Sequence, residues 1–94
     1  MKTLIVTRHK ALVDYLLEKG VVDEGGFEVV SHATSKDVKG RDVIGVLPHS
    51  LSCLTSAFTE VVLDLPPEMR GKELTLDDML TYSKGLNTYK VTRL

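Results

Sequence analysis

The sequence predicts an α/β fold in which a mostly parallel central sheet is flanked by helices. Short apolar runs rich in β-branched residues, typical of buried strands, alternate along the chain with segments of helical periodicity. A polar segment directly follows almost every one of these apolar runs. Because the carboxyl ends of parallel strands lie at one edge of a sheet, this pattern also predicts a ligand site at that edge.

Five short strands are predicted, each an apolar run bounded by turn residues. They cover residues 3–6, 27–32, 42–47, 60–65 and 88–92. A turn at residues 23–26 precedes the second strand, and the pair Pro66-Pro67 ends the fourth. Gly85 or Asn87 is expected to separate the fifth strand from the preceding helix.

The first of three predicted helices covers residues 9–19. Leu12 and Leu16 stand four apart on its apolar face, and Gly20 is expected to close it. Between the second and third strands, residues 35–41 are predicted to form a polar connection without regular structure.

The second and third predicted helices are recognised by their first residues. Pro48 suits the first position of a helix, where its missing N–H is harmless. The apolar stripe of this second helix consists of Leu51, Leu54 and Phe58, with Cys53 in the same stripe. Thr75, with Asp78 three residues later, resembles a capping box and starts the third helix, which runs to Ser83.

Composition excludes several classes of protein. The 94 residues correspond to one domain, residues 1–94, and so short a chain would gain from pairing into a dimer. A net charge of −1 argues against broad contact with duplex DNA, which needs an extended basic face. Cys53 is the single cysteine, so no intrachain disulfide can form, and a reducing cytoplasm is expected. No apolar run approaches the ~20 residues that cross a bilayer, so we expect no membrane partner.

Side chains that can bind anions or transfer protons lie at or after the carboxyl ends of four of the predicted strands. The segments are residues 7–9, 31–32, 48–50 and 70–73. The sheet edge is therefore expected to gather all three histidines and two of the arginines, although they are scattered in sequence.

Individual residues in these segments suit phosphate binding and proton transfer. Arg8 and His9 lie at the first strand-to-helix turn, where helix N–H groups bind phosphate and a guanidinium adds a bidentate grip. His32 can supply or accept a proton near neutral pH. Ser50, at the start of the second helix, can donate its hydroxyl to another anion. The alternative reading is that all four are ordinary surface residues.

Neither a cofactor nor a resident metal ion is predicted. The glycine-rich dinucleotide fingerprint and the nucleophile elbow are both absent. Three histidines can hold zinc, but these three come from separate strand ends without short-range ligand spacing. Gly71 lets the loop after the proline pair turn sharply, so Arg70 can grip a phosphate; the alternative is a solvated charged loop.

A series of short motifs, in this order and spacing, resembles one family from Thr3 to Val91. The motifs are Val6-Thr7-Arg8-His9, His32 at the second strand end, Gly40-x-Asp42-Val43-Ile44-Gly45-x-Leu47-Pro48, Leu65-Pro66-Pro67-x-x-Arg70-Gly71-x-Glu73-Leu74-Thr75 and Tyr89-x-Val91. The family is a group of small stand-alone CRISPR-associated proteins of the Csx type, encoded beside type III systems. The resemblance implies a Rossmann-like fold related to CARF domains, which sense cyclic oligoadenylates.

The same resemblance implies a ring nuclease, an enzyme that opens cyclic tetra-adenylate and so switches off the antiviral response. The family pattern carries over to Thr7, Arg8, His9, His32, the turn at residues 45–48, and Arg70-Gly71. His49 departs from the pattern, because the family tends to place a small apolar residue there. Thr34 and Ser35 also differ from the more usual acidic residue and proline.

We therefore expect metal-independent cleavage, in which a ribose 2′-oxygen attacks the adjacent phosphorus and leaves a 2′,3′-cyclic phosphate. The expected catalytic residues are Arg8 on the phosphate and His9 or His32 as acid or base, with His9 preferred. The expected substrate-binding residues are Thr7, Leu47, Pro48, Ser50, Arg70 and Gly71. A homodimer with one ring across its interface is the expected assembly. A non-cleaving sensor or sink, and a protein-interaction module, remain as alternatives.

Overall fold

Strands and helices alternate in the computed structural model, which describes residues 2–94. The strands are β1 (Thr3–Val6), β2 (Phe27–Val30), β3 (Asp42–Gly45), β4 (Ala57–Leu63) and β5 (Ser83–Tyr89). The helices are α1 (Lys10–Glu18), α2 (Ser35–Val38), α3 (His49–Ser52) and α4 (Leu76–Tyr82), with a 3₁₀ turn at Pro67–Met69.

The five strands form one sheet in the order β2-β1-β3-β4-β5. Strand β1 runs parallel to β2 and β3, β3 runs parallel to β4, and β5 is antiparallel to β4. The predicted mostly parallel sheet flanked by helices is confirmed. The chain first moves from β1 out to β2 and then returns past β1 to β3. In open α/β sheets, ligands bind outside the carboxyl ends of the strands at such a reversal.

A separate apolar core covers each face of the sheet, since successive side chains of a strand point to opposite faces. In β1, Ile5 joins the core that α1 and α4 cover, whereas Leu4 and Val6 join the core beneath α2 and α3. The first core is built on Ile5, Ala11, Tyr15, Leu16, Val22, Ile44 and Met79, and the second on Leu4, Val6, Val38, Val43 and Phe58. The helices therefore leave the carboxyl edge of the sheet open between two layers.

Helix α1 ends at Glu18, and Gly20 closes it as the sequence predicts. This glycine has a φ of 70° and donates its N–H to the Leu17 carbonyl, while the N–H of Val21 reaches the Leu16 carbonyl at 2.9 Å. These two bonds form a Schellman motif, which satisfies carbonyls that a helix end leaves unpaired. The left-handed conformation explains why a glycine stands at this position.

A partly buried hydrogen bond joins α1 to the start of β5. It gives a first testable prediction. The Tyr15 hydroxyl, on a residue only 2% exposed, donates to Ser83 Oγ at 2.8 Å. We expect Tyr15→Phe to lower the free energy of unfolding by about 0.5–1.5 kcal/mol, the usual net value of one such bond. Urea denaturation of Tyr15→Phe, Ser83→Ala and the double variant measures the coupling. Fully additive effects of the two single changes would contradict it.

The connection over residues 35–41 contains a short helix, α2, so the prediction of an irregular segment is wrong. The backbone N–H and hydroxyl of Thr34 both donate to Asp37 Oδ2, at 2.8 and 3.0 Å. This cap by Asp37 is the local signal that the prediction missed. Val38, at the end of α2, is fully buried against the sheet, and this burial stabilises so short a helix.

The cap of α2 also makes a prediction about pH. The backbone N–H of Thr34, then its hydroxyl, and also the charge of Arg41 hold the pKa of Asp37 below its ordinary value of 3.8. The resulting stability is therefore complete above that value and is lost as the pH falls through the lower pKa of the folded state. A ¹³C titration of the Asp37 carboxyl checks the direction, and Asp37→Asn should flatten the pH dependence below pH 4. A midpoint at or above 3.8 would show that the cap does not act this way.

The two strands before the site are shorter than predicted at their carboxyl ends. Strand β2 ends at Val30, with Ser31 and His32 in a bend, and β3 ends at Gly45 instead of residue 47. The physical reason at β3 is the φ of 145° at Gly45, which turns the chain out of the sheet. Residues expected at strand ends therefore lie in the loops just beyond them.

The predicted second helix is wrong in its extent. Helix α3 has only four residues, with Pro48 as its N-cap, and Phe58 lies in β4 opposite Val43. Strand β4 accordingly starts at Ala57 and ends at Leu63, three residues earlier than predicted at its start and two at its end. Phe58 is 9% exposed within the second core, and parallel pairing with β3 buries it better than a helical stripe would.

The capping box at Thr75 is confirmed and the helix ends within one residue of the predicted Ser83, but neither of the two residues predicted to terminate it does so. The Asp78 N–H donates to Thr75 Oγ1 at 3.2 Å, and the Thr75 N–H donates to Asp78 Oδ2 at 3.0 Å. Helix α4 ends at Tyr82 and β5 begins at the next residue, so neither Gly85 nor Asn87 separates them. Gly85 lies inside β5 at a bulge opposite Val62. Pairing with β4 places this strand earlier than the predicted residues 88–92.

Candidate functional site

The carboxyl ends of the parallel strands meet at one edge, as the sequence predicts. Thr7, the first residue after β1, donates its N–H to the Val30 carbonyl at the end of β2 at 3.0 Å. On the other side, Val6 pairs with Gly45 at the end of β3. These contacts hold the loops after β1, β2 and β3 side by side.

Arg8 and His32, which are 24 residues apart in sequence, are in contact at this edge. The Nη2 of Arg8 lies 2.9 Å from Nε2 and 3.4 Å from Nδ1 of the imidazole. A guanidinium can only donate, so a ring nitrogen of the imidazole accepts in this contact. Both side chains are exposed, and an arriving phosphate can therefore replace the imidazole as the partner of Arg8. The exchange would release a ring nitrogen for proton transfer.

His9 is the N-cap of α1 and has a partner of its own. Its backbone N–H donates to Thr7 Oγ1 at 3.0 Å, and its Nδ1 lies 3.5 Å from Glu73 Oε1. The two side chains are 55% and 77% exposed, so solvent screens this pair and it contributes little to stability. The contact does bring the loop after the 3₁₀ turn to the site. Glu73 is absent from the predicted site residues, since no local signal links positions 64 residues apart.

A cavity of about 330 Å³, here called the edge cavity, opens beside Thr7, Arg8 and His9. The turn at Gly45 and Val46 forms part of its wall. Most of the remaining wall is apolar and comes from α1, β4, the loop before α4, and α4 itself. These side chains are Leu12, Val61, Leu63, Leu74 and Met79. A polar rim over an apolar interior is the usual form of a small-molecule site.

Two further cavities lie beyond the Gly45–Val46 turn. One of about 290 Å³ is lined by this turn together with Leu47, His49 and Tyr89, among others. Another of about 830 Å³ is lined by His49, Ser50, Cys53 and C-terminal residues. Cys53, predicted to lie in a helical core stripe, is instead the half-buried C-cap of α3.

The structure thus divides the predicted site residues into groups. Thr7, Arg8 and His9 line the edge cavity, and His32 reaches it through Arg8. The substrate-binding predictions at Leu47 and Ser50 fall on the second and third cavities, and Pro48 is the N-cap of α3. Arg70 and Gly71 follow the 3₁₀ turn and line none of these three cavities within residues 2–94. Their roles remain predictions.

The described residues contain neither a cluster of metal ligands nor a membrane-spanning helix. Residues 2–94 contain no group of three or more histidine, cysteine, aspartate or glutamate side chains arranged to hold a metal ion. The histidines therefore do not form a shared cluster, because His9 and His32 have separate partners and His49 lies at other cavities. Within the same residues, every helix is too short or too polar to cross a membrane.

Fold and site together define a class: a mixed α/β protein whose parallel strands carry an arginine and two histidines to a crevice above an apolar cavity. Comparison with protein families then gives a match over residues 4–92 to the family described as "Putative CRISPR-associated protein (Cas_VVA1548)". The chain belongs to this family of CRISPR-associated proteins, which confirms that part of the resemblance seen in its motifs. No match was found among curated proteins or among solved structures.

Proposed function

We propose that this CRISPR-associated protein is a ring nuclease that opens cyclic oligoadenylate, with cyclic tetra-adenylate as its substrate. The observation that carries the proposal is the convergence of Arg8, His9 and His32 at the carboxyl edge of the sheet, beside a cavity with an apolar interior. A phosphate-binding cation and two groups able to move protons are what phosphodiester cleavage requires. Membership of a CRISPR-associated family supports the choice of a CRISPR second messenger.

The proposed reaction uses the ribose of the substrate as its own nucleophile. The 2′-oxygen attacks the neighbouring phosphorus in line, the bond from phosphorus to the 5′-oxygen breaks, and a 2′,3′-cyclic phosphate forms. The 2′-hydroxyl loses its proton to a base, and the 5′-oxygen gains one from an acid, so charge and protons balance. Holding these atoms in line supplies much of the acceleration.

Residues at the site are assigned to these steps by position and chemistry. Arg8 stabilises the charge that grows on the phosphoryl oxygens, after exchanging its imidazole partner for the phosphate. His9 is the preferred acid–base group, with Glu73 beside its Nδ1 to orient the ring. His32, released by Arg8, serves the other proton transfer. Each such transfer contributes about 10²–10⁴-fold to the rate.

A two-fold homodimer completes this proposal. The cyclic tetranucleotide has rotational symmetry of its own, and an isologous dimer would present Arg8 twice to one ring. The doubled cation reconciles a protein of net charge −1 with a ligand of four phosphates. Light scattering with and without the ring should report a dimer, and a monomer under both conditions would count strongly against this assembly.

The deciding experiment is incubation of the purified protein with cyclic tetra-adenylate and with the hexa-adenylate ring, both in chelator. Chromatography should resolve linear fragments of the tetramer that end in 2′,3′-cyclic phosphates. Activity that disappears in chelator would make the enzyme metal-dependent and overturn the mechanism. Failure to bind either ring would overturn the function.

A non-cleaving sensor or sink is the second candidate, and one observation favours it. His9, the preferred proton-transfer group, already has Glu73 beside its Nδ1, and Arg8 can bind a phosphate without it. His9→Ala separates the two functions. In a ring nuclease the variant keeps its affinity for the ring and loses about 10²–10⁴-fold in turnover. A sensor shows no turnover before or after the change.

A further inference from the structure

The edge cavity divides into a polar rim and an apolar interior. Its polar side chains are Thr7, Arg8, His9 and Ser31, of which all but the half-buried Thr7 are exposed. The interior is formed by Leu12, Val61, Leu63, Leu74 and Met79. Within the described lining, these interior side chains offer no strong hydrogen-bond donor or acceptor. Met79 is only 3% exposed, so the cavity reaches into the core beneath α1 and α4.

The size of the cavity restricts what fills it. A volume of about 330 Å³ is at the lower end of the range of roughly 300–1,000 Å³ for small-molecule pockets. It suits one flat ring system and is far too small for a whole cyclic tetranucleotide. An aromatic ring would also restore the dispersion contacts that the apolar walls lack while the space is open. Arg8 at the rim can bind a phosphate that is joined to that ring through a ribose.

We propose that the edge cavity holds one purine base of the bound nucleotide through its ring faces, without hydrogen bonds from side chains to the base edges. The identity of the ligand as a nucleotide rests on the proposed function. Leu12 and Leu74 contact the faces of the ring, and the polarizable sulfur of Met79 contacts its edge. The phosphate of the same nucleotide reaches Arg8. Binding of the base is thereby coupled to the alignment of the scissile bond.

Recognition by shape has a measurable consequence for specificity. Sites that hydrogen-bond a polar group reject an analogue lacking it by 10⁴–10⁵-fold, whereas apolar pockets discriminate only about 10–200-fold. Adenine and hypoxanthine have nearly the same outline and differ in their hydrogen-bonding groups at positions 1 and 6. The cavity should therefore accept both, and the dissociation constants of their nucleotides should agree within about tenfold.

Three small probes test the proposal by NMR: adenosine 5′-monophosphate, inosine 5′-monophosphate and ribose 5-phosphate. Both nucleotides should shift the methyl signals of Met79 and Leu12, with dissociation constants within tenfold of each other. Ribose 5-phosphate should perturb Arg8 and leave the Met79 methyl unchanged. Nucleotide binding that leaves both methyl signals unchanged would overturn the proposal, and so would a preference for adenine above 200-fold.

A matched pair of variants tests the cavity directly. Leu74→Trp fills it, and Leu76→Trp places the same side chain two residues away, in the same core but outside the cavity lining. Leu74→Trp should weaken adenosine 5′-monophosphate at least tenfold, while Leu76→Trp retains the wild-type affinity. Thermal unfolding confirms that each variant is folded, and Leu12→Phe replaces Leu74→Trp if the latter does not fold. Unchanged affinity in the folded cavity-filling variant would overturn the proposal.

The ring assay keeps this proposal separate from the proposed function. If Leu74→Trp opens cyclic tetra-adenylate at the wild-type rate, the base site is wrong and the ring nuclease stands. If the wild type neither binds nor opens the ring, yet mononucleotides shift Met79, the ring nuclease is wrong and the base site stands.

Discussion

Arg8→Ala is expected to lower the rate of ring opening by about 10²–10³-fold, the usual loss when one preorganised donor to a developing oxyanion is removed. Arg8 is exposed and its side chain hydrogen-bonds to the equally exposed His32, so the fold should be unaffected. The loss should appear mainly in kcat, because the charge that the guanidinium stabilises grows in the transition state. Single-turnover assays with saturating protein measure this step directly.

Two further variants make the Arg8 result specific. Arg8→Lys keeps the charge but loses the planar fork of donors, so its rate should fall between those of the wild type and Arg8→Ala. Lys10→Ala removes a nearby positive charge whose side chain is 89% exposed and pairs with Asp14, and it should leave the rate unchanged. Equal losses in Lys10→Ala and Arg8→Ala would reduce the role of Arg8 to general electrostatic attraction. Failure of Arg8→Ala to weaken any nucleotide binding would favour the protein-interaction module instead.

Gly45→Ala is expected to be the most destabilising single change at the site. The backbone there has a φ of 145°, a conformation that L side chains rarely adopt, and an added Cβ would collide with the Val6 carbonyl oxygen. Strain and collision together should cost about 3 kcal/mol or more, out of a total of about 5–15 kcal/mol for a small domain. The melting temperature should then fall by at least about 12 °C.

Gly25→Ala is the matched control for Gly45→Ala. Gly25 also has a positive φ, of 75°, but a Cβ there would meet nothing within 4 Å. This variant therefore reports conformational strain alone, which costs about 1–2 kcal/mol. Similar losses of stability in the two variants, measured by urea denaturation, would contradict the close approach between Val6 and Gly45. That approach matters for the site, because it brings the ends of β1 and β3 together.

Part of the site follows from a simple topological argument. Polar residues after parallel strands must share an edge, and on this basis the sequence predicts that Arg8 and His32 lie together, which their 2.9 Å contact confirms. The edge cavity and the His9–Glu73 contact do not follow from this topological argument. Both depend on where α4 and the loop before it settle against α1, and such packing is decided between segments more than 60 residues apart.

The ends of the helices and strands also fall into two groups, those predicted by local motifs and those decided by strand pairing. Gly20 closes α1 and Thr75 opens α4 as predicted, because a Schellman turn and a capping box are made by residues within five positions of one another. The failures occur where a neighbouring strand competes with local preference. Phe58 joins β4 by pairing with β3, and β5 begins at Ser83 by pairing with β4.

Hydrogen bonds and periodicities confined to a few residues therefore determine the end of α1, the start of α4, most of the alternation of strand and helix, and the polar character of the strand ends. The lengths of β2 to β5, the antiparallel direction of β5 and the apolar space beneath Arg8 and His9 arise only when the chain folds. These features depend on pairing and burial between distant segments. The contacts that stabilise them join residues far apart in sequence, so no short stretch of sequence predicts them.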